Sequence, residues 1–348
     1  MNDVVSISKD RNEPAWLLKE REDALKYAKE FEIPEIGGPR INKSENVKVL
    51  NLEEMLKKDA RFTKKAFLSR KILPAVSPHA AYLGAFFRHC SFMFVDRGKK
   101  AELDLSLGNS LSLNFFFIGS NASISITGAA VSNCMDICEI IAEDNSRVDC
   151  AFLKQKGAFA YRGLSARMGT GSIFCGLSFW SGSGYGDTSV LLQGAGSKAK
   201  DVELSIAGNL ENLSLKSNYI HSANDTESKI IMKGVAQDKS STVFDGTVTV
   251  EGNGRGAQSD LAQHVLLLDE GAKAEANPVM EIKNDDVECS HSASVRKLEE
   301  DKLFYMMSRG LPMEQARTTM VTGFLRGAIN SIENKELRNL FKPSFLRE

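Results

Sequence analysis

The residue types best suited to chemistry lie close together in one segment, Asp285-Asp286-Val287-Glu288-Cys289-Ser290-His291. On a strand, Cys289 and His291 are two apart and point to the same face. A thiolate and an imidazole are the soft and borderline donors that hold iron or an iron–sulfur cluster. Taken alone the pair is a weak signal, because a strand cysteine is commonly a small buried apolar side chain. Asp285, Asp286 and Glu288 add carboxylates that would assist iron entry. Their plainer reading is a solvated strand end, and Glu288 is assigned to it.

The other reactive residues are scattered. Of the six cysteines, Cys90, Cys134, Cys138, Cys150, Cys175 and Cys289, none forms a CxxC pair or a zinc pattern. Such scatter argues against a disulfide framework and for free thiols in a reducing cytoplasm. Cys134 and Cys138 are four apart, a metal spacing on a helix, but their surroundings do not favour one. Cys150 and Cys175 fit an alternating pattern and read as core. Gly182-Ser183-Gly184-Tyr185-Gly186 is glycine-rich, yet no helix pattern follows, and a phosphate cradle needs that helix N-terminus. It reads as a loop. There is no GxxxxGK[ST] motif, so no nucleotide is expected on this chain. Lys57, Lys58, Arg61, Lys64 and Lys65 have only Phe62 as aromatic company and read as a solvated helix face. The formal net charge of −1 gives no general reason to bind nucleic acid or an anionic membrane.

These side chains need a scaffold, and 348 residues can bury a sizeable core. The first residues lack a basic stretch followed by an apolar one, so no secretory signal is expected. The long uncharged run Leu105 to Met135 is too rich in Ser, Asn and Gly to span a bilayer and reads as strands. Three zones follow from the patterning. Residues 1–72 are charged and helical: a helix start at Asn12-Glu13-Pro14, a break at Ile33 to Arg40, and a second helix from about Leu52 to Ser69, ending before Pro74. Residues 73–296 alternate with period two, as in Leu103-Leu105-Leu107, Ala122-Ile124-Ile126, Val148-Cys150-Phe152, Ile173-Cys175-Leu177-Phe179 and Val202-Leu204-Ile206. Small turns such as Gly119-Ser120-Asn121 and Gly169-Thr170-Gly171 recur about every 25 residues, which fits a coiled β architecture. A parallel β-helix fits best and a β-sandwich is the alternative. There is no strong series of Asn-Gly or Asp-Gly hairpin dipeptides, apart from Asp245-Gly246, which favours the β-helix. Residues 297–348 are helical again, broken at Gly310-Leu311-Pro312, with a further short helix at Glu333 to Phe341.

The C-terminal pattern resembles the SufB/SufD family. After Cys289-Ser290-His291-Ser292-Ala293 come Leu303-Phe304-Tyr305, Ser308-Arg309-Gly310, Ala316 and Gly323-Phe324. The stretches Leu266-Leu267-Leu268 and Pro278-Val279-Met280-Glu281-Ile282 are similar too, as are Glu13-Pro14-Ala15-Trp16-Leu17-Leu18 near the N-terminus and His221-Ser222-Ala223. The resemblance implies a mainly β chain: a right-handed parallel β-helix between N-terminal and C-terminal helical regions. It implies a non-ATPase, non-enzymatic, cytoplasmic subunit that pairs through late strands with a paralogue or a second copy of itself. Its C-terminal helices, through Leu303, Phe304, Tyr305, Arg309, Gly310, Ala316 and Phe324, dock an ABC-type ATPase of the SufC kind. A transient iron–sulfur cluster or iron is implied at Cys289 and His291. The scaffold-type SufB subunit carries a cysteine about where Gln263-His264 falls and a glutamate where Ser292 stands. This chain has the SufD-like form, and His264 is the residue available as a substitute ligand.

Two other functions compete. A β-helix enzyme acting on polysaccharide needs paired carboxylates facing one groove, whereas Asp285 and Asp286, being adjacent, face opposite ways on a strand. A purely structural module that recruits an ATPase fits equally if no cluster binds.

Overall fold

The computed structural model describes residues 2–28, 39–69, 77–332 and, beyond these, 334, 335 and 338. From His89 the chain climbs in coils of two strands, each strand lying parallel on its counterpart in the coil before. About eight turns of this solenoid build two nine-stranded sheets. In the first seven coils one edge is a tight turn with one residue in the left-handed region: Gly98, Asn121, Asn145, Gly171, Gly196, Asp225 and Gly256. Only Gly, Asn and Asp accept that conformation at low cost, which is why the turns carry them. Each turn donates a backbone N–H to the carbonyl of the next turn, as Asn145 does to Thr170 at 2.7 Å. The spacing read from the sequence is therefore the coil length, which grows from 23 residues near Ser120 to 31 near Arg255.

The two ends of the solenoid differ. At the first coil, Arg40–Lys43 pairs antiparallel with Lys100–Leu107, and Val47–Asn51 with His89–Val95. These short strands seal the exposed ladder edges. The last strands, Lys273–Ile282 and Val287–Lys297, each have a neighbour on one side only among the described residues.

Alternation locates the strands, but not always the buried face expected from it. Leu103, Leu105, Ile124, Ile126, Val148 and Phe152 point to the axis. Leu177, Phe179, Val202 and Leu204 point outward, into a second apolar layer. On those coils Phe174, Trp180, Asp201 and Glu203 face inward. Gly182 is a turn, whereas Gly184 and Gly186 open the strand Gly184–Leu192 rather than a loop. A Cβ on Gly186 would stand 2.8 Å from the Trp180 ring, so glycine makes room for it. Asp245-Gly246 lies inside the strand Ser241–Val250, not in a hairpin; a Cβ on Gly246 would meet Gln263 at 2.5 Å.

Six helices among the described residues cover the outer faces. Helices α1 (Asn2–Asp10), α2 (Ala15–Leu25), α3 (Leu52–Leu68) and α4 (Pro78–Phe86) gather at the sealed end. Helix α2 starts directly after Pro14, as read. Helix α3 opens with a reciprocal capping box, Glu54 N–H to Asn51 Oδ1 at 2.9 Å and Asn51 N–H to Glu54 Oε2 at 2.8 Å. Helix α4 falls within a span expected to be strand; Ser77 caps it and Pro78 fixes its first turn. Helices α2 to α4 pack Leu17, Phe67 and Leu83 on Phe92, Leu113, Phe115 and Ile137. At the other end, α5 (Glu300–Ser308) and α6 (Met313–Asn330) are separated by Gly310, at φ +92°, and by Pro312. Helix α6 buries Ala316, Leu325 and Ala328, the last two against Leu177, Val202, Leu204 and Leu266. Residues 33–38 of the expected break, Pro74 and nearly all of the helix expected at Glu333 to Phe341 lie outside the described residues. No helix among the described residues is long and apolar enough to cross a membrane.

Candidate functional site

The strand Val287–Lys297 is the last of its sheet and pairs in register with Ala257–Leu267. Ser259, Leu261, Gln263 and Val265 of that neighbour are buried and face the axis. Their partners in register are Cys289, His291, Ala293 and Val295. Cys289 and His291 thus share one face, about 7 Å apart along the strand. They top columns that are buried one coil below, yet Cys289 is half-buried and His291 is exposed. Burial pushes the Cys289 thiol up, against the lowering effect of a hydrogen bond with the Ser259 backbone. A groove of about 490 Å³ opens beside the thiol, with Glu227, Lys229, Asp260 and Glu288 on its walls. Glu288 is exposed.

The other candidates stand elsewhere. His264 is on the opposite face of the sheet from Cys289, since its register partners, Lys233 and Ser294, lie on the outer face. Its Nδ1 is 2.8 Å from Ser294 Oγ. Burial and the charges of Lys233 and Arg296 hold its pKa below the ordinary histidine value. Asp285 and Asp286 precede the strand in a turn instead of lying on it, and Asp286 accepts from Arg255 Nε at 2.8 Å. Among the described residues, no group of three or more His, Cys, Asp or Glu side chains is arranged to hold a metal ion. Cys289 and His291 therefore offer two donors, not a closed set.

Cys134 and Cys138 lie on a strand and both face the axis, about 13 Å apart, too far to share one ion. Burial pushes Cys134 up to about 12 and raises Cys138 and Cys150 as well, which makes them inert thiols. Cys175, expected in the core, is on the outer face with Arg147 Nη2 at 3.4 Å.

Several interior polar residues escaped the reading of the sequence: Asp136, Arg162, Asp201 and Glu203. Asp136 accepts from Ser112 Oγ at 2.8 Å and Asn114 Nδ2 at 2.7 Å. The missed signal was a polar residue between apolar ones on strands whose two faces are both covered. His221, singled out without a role, is fully buried in the same interior.

The helical residues divide by exposure. Phe304 is 74% and Tyr305 58% exposed, with Arg309 stacked over the Tyr305 ring. Leu303 is half-buried and Gly310 is the exposed turn between α5 and α6. Ala316 is fully buried, and Phe324 packs down onto the solenoid, where Lys233 Nζ donates to its carbonyl at 2.7 Å. The exposed aromatic side chains of this region are therefore on α5.

Residues 116–324 match the family described as SUF system FeS cluster assembly, SufBD core domain. The iron-sulfur cluster assembly protein SufD of Bacillus subtilis is 32% identical over 148 residues, 42% of this chain and 31% of that protein. A SufBD family protein of Staphylococcus saprophyticus is 33% identical over 135 residues, 39% of this chain and 29% of that protein. A chloroplastic one of Arabidopsis thaliana is 30% identical over 147 residues, 42% of this chain and 26% of that protein. The matched stretches span less than a third of each relative's length. The family match covers more than half of the chain and includes all but the first coils of the solenoid, α5 and most of α6, so the chain belongs to the SufBD family of iron–sulfur cluster assembly proteins.

Proposed function

We propose that this chain is a non-ATPase, non-enzymatic subunit of a cytoplasmic SufBCD-type assembly complex, with its half-site for iron or a nascent cluster at Cys289 and His291. The observation that carries this reading is the position of the pair. Two donors of the right kind lie on the solenoid's last strand, whose outer edge has no neighbour among the described residues. Iron or a cluster needs more ligands than two. A second solenoid laid along the edge supplies them, and that partner is a SufB/SufD-type paralogue or another copy of this chain. Ile282 and Val295, 41% and 42% exposed at the same open end, favour such pairing. Phe304 and Tyr305 on α5 are the proposed seat of a SufC-type ATPase. Six free cysteines fit a reducing compartment.

Three measurements test it. Co-expression with a SufC-type ATPase is expected to give a stable complex that is lost when residues 297–348 are removed. The double variant Phe304→Ala/Tyr305→Ala, whose side chains are mostly in solvent, should lose it as well; retention by both proteins refutes the docking surface. Anaerobic reconstitution of the complex with iron and sulfide is expected to give charge-transfer absorbance that Cys289→Ala lowers, and equal absorbance removes Cys289 from the site. The subunit composition of the complex from its own cell separates a homodimer from a heterodimer.

A further inference from the structure

At the sealed end of the solenoid, a cavity of about 990 Å³ lies between the elbow that joins α1 to α2, the first turns of α3 and the entry to the first solenoid strand. That volume is in the range of small-molecule sites. Pro14, Ile41, Leu52 and Leu56 give it an apolar wall, and Arg11 and Arg88 line it as well. Local structure fixes where both arginines start. Asn12, at φ +49°, turns the chain directly after α1, and the Glu13 N–H donates to the Ser8 carbonyl at 3.0 Å. Asparagine accepts that conformation at low cost, which sets Arg11 at the elbow. Arg88 immediately precedes the strand His89–Val95, and its backbone N–H donates to the Leu111 carbonyl at 2.9 Å.

The charges around the cavity are not paired off. Asp10, Glu13 and Glu53 are its carboxylates. Both oxygens of Glu13 are taken by Arg21, at 2.8 and 2.7 Å. Glu53 accepts from Lys57 Nζ at 2.6 Å. Asp10 forms no ion pair among the described residues. Neither guanidinium, of Arg11 or of Arg88, has a hydrogen bond or ion pair among the described residues. Partial burial pushes the Arg11 pKa down from its ordinary value, as do the charges of Arg21 and Arg88, while Glu13 offsets part of the effect. An arginine keeps its proton all the same. Two unpaired like charges on one cavity wall repel each other, and a bound anion relieves that repulsion. The planar fork of a guanidinium matches the oxygens of a phosphate or a carboxylate.

We propose that this cavity binds a small organic anion, with Arg11 and Arg88 holding a phosphate or carboxylate head and the wall of Pro14, Ile41, Leu52 and Leu56 covering an apolar body. Arg11 belongs to the helical cap and Arg88 to the entry of the solenoid. A ligand that spans them ties the cap to the first coil and raises its stability in proportion to occupancy. The site is at the opposite end of the solenoid from Cys289 and stands apart from the half-site there.

Isothermal titration calorimetry of the full chain with 1-naphthyl phosphate, which carries both an anionic head and an apolar body, tests it. A single molecule is expected to bind per chain. Inorganic phosphate lacks the body and 1-naphthol lacks the charge, and each is expected to bind at least about tenfold more weakly. 1-Naphthoate in a parallel titration identifies the preferred head; failure of both naphthyl anions to bind overturns the proposal. Arg11→Gln/Arg88→Gln removes no side-chain bond among the described residues, so the variant is expected to keep the wild-type urea midpoint. It is expected to weaken the bound anion by about tenfold for each guanidinium lost. Ala60→Trp fills the cavity from the exposed side of α3 and is expected to block binding with both arginines in place. Wild-type affinity in either variant protein overturns the site.

Discussion

Replacing Glu13 by glutamine is expected to cost the helical cap about 3–5 kcal/mol, the range for breaking a buried ion pair by neutralising one partner. Arg21 and Glu13 are 0% and 1% exposed in their side chains. The pairing is bidentate, Nε to Oε2 at 2.8 Å and Nη2 to Oε1 at 2.7 Å. Nη1 donates to the carbonyls of Ala85 at 2.8 Å and Phe87 at 3.2 Å, and the guanidinium lies 3.7 Å above the Phe87 ring. One arginine thus ties the start of α2 to the end of α4, where the chain enters the first strand of the solenoid. Glutamine keeps the shape of Glu13 but removes the counter-charge and can accept only one of the two N–H bonds. The guanidinium remains buried with its positive charge uncompensated, which is the expensive outcome. The exposed pair Lys26–Asp23 is the internal control, since solvent-screened pairs contribute little. Urea unfolding and amide exchange in α2 and α4 are the measurements. A Glu13→Gln protein with the wild-type midpoint and protection refutes the assignment.

The strands were legible because turn chemistry and alternation report the same repeat. Asn121, Asn145 and Gly171 mark coil edges in the sequence for the reason that they adopt positive φ in the structure. Which side of a strand faces the axis was not legible. In Ile173–Ser181, both the set with Leu177 and Phe179 and the set with Phe174 and Trp180 are apolar, because α6 covers the outside as the axis covers the inside. Periodicity reports burial, and here both faces are buried. Cys175 was placed in the core for that reason, and Asp201 and Glu203 were passed over beside Val202 and Leu204. Helix α4 was hidden by its even apolar character, His79 to Phe86 having no polar face to give period 3.6. The shared face of Cys289 and His291 was readable, because parity within one strand needs no knowledge of its neighbours. The separation of His264 from them was not, because it depends on register between two strands.

Those overlooked carboxyls give the chain a pH dependence of unusual sign, and Glu203→Gln is expected to flatten it. Asp201 and Glu203 are two apart on the strand Lys198–Ala207, both facing the axis at 4% and 3% exposure. Tyr219 Oη donates to Asp201 at 2.6 Å and Ser217 Oγ to Glu203 at 2.6 Å. These bonds favour the charged forms, but burial outweighs them and raises both pKa values, and the charge of Asp201 raises Glu203 further. The folded chain then holds protons that the unfolded chain has released. Above the ordinary carboxylate range the unfolded state binds fewer protons than the native one, so stability falls as pH rises. His221 has the opposite sign. Its pKa is lowered from 6.5 to about 4, so the unfolded state takes up a proton first and stability falls as pH drops through that window. The windows overlap, so between about pH 4 and 6.5 the His221 term offsets one of the two carboxyl terms. Glutamine at 203 keeps an acceptor for Ser217, removes the titration and spares Asp201 a neighbouring charge. From below pH 4.5, the ordinary Glu value, up to pH 8.5 the variant should lose less stability than the wild type by about 1.4 kcal/mol for each unit by which Glu203 is raised. Below the ordinary Glu value of 4.5 Glu203 is protonated in both states and the two curves should run parallel, because Asp201 and His221 are unchanged. Urea midpoints across this range decide it: parallel curves at high pH mean that Glu203 is already ionised in the native interior.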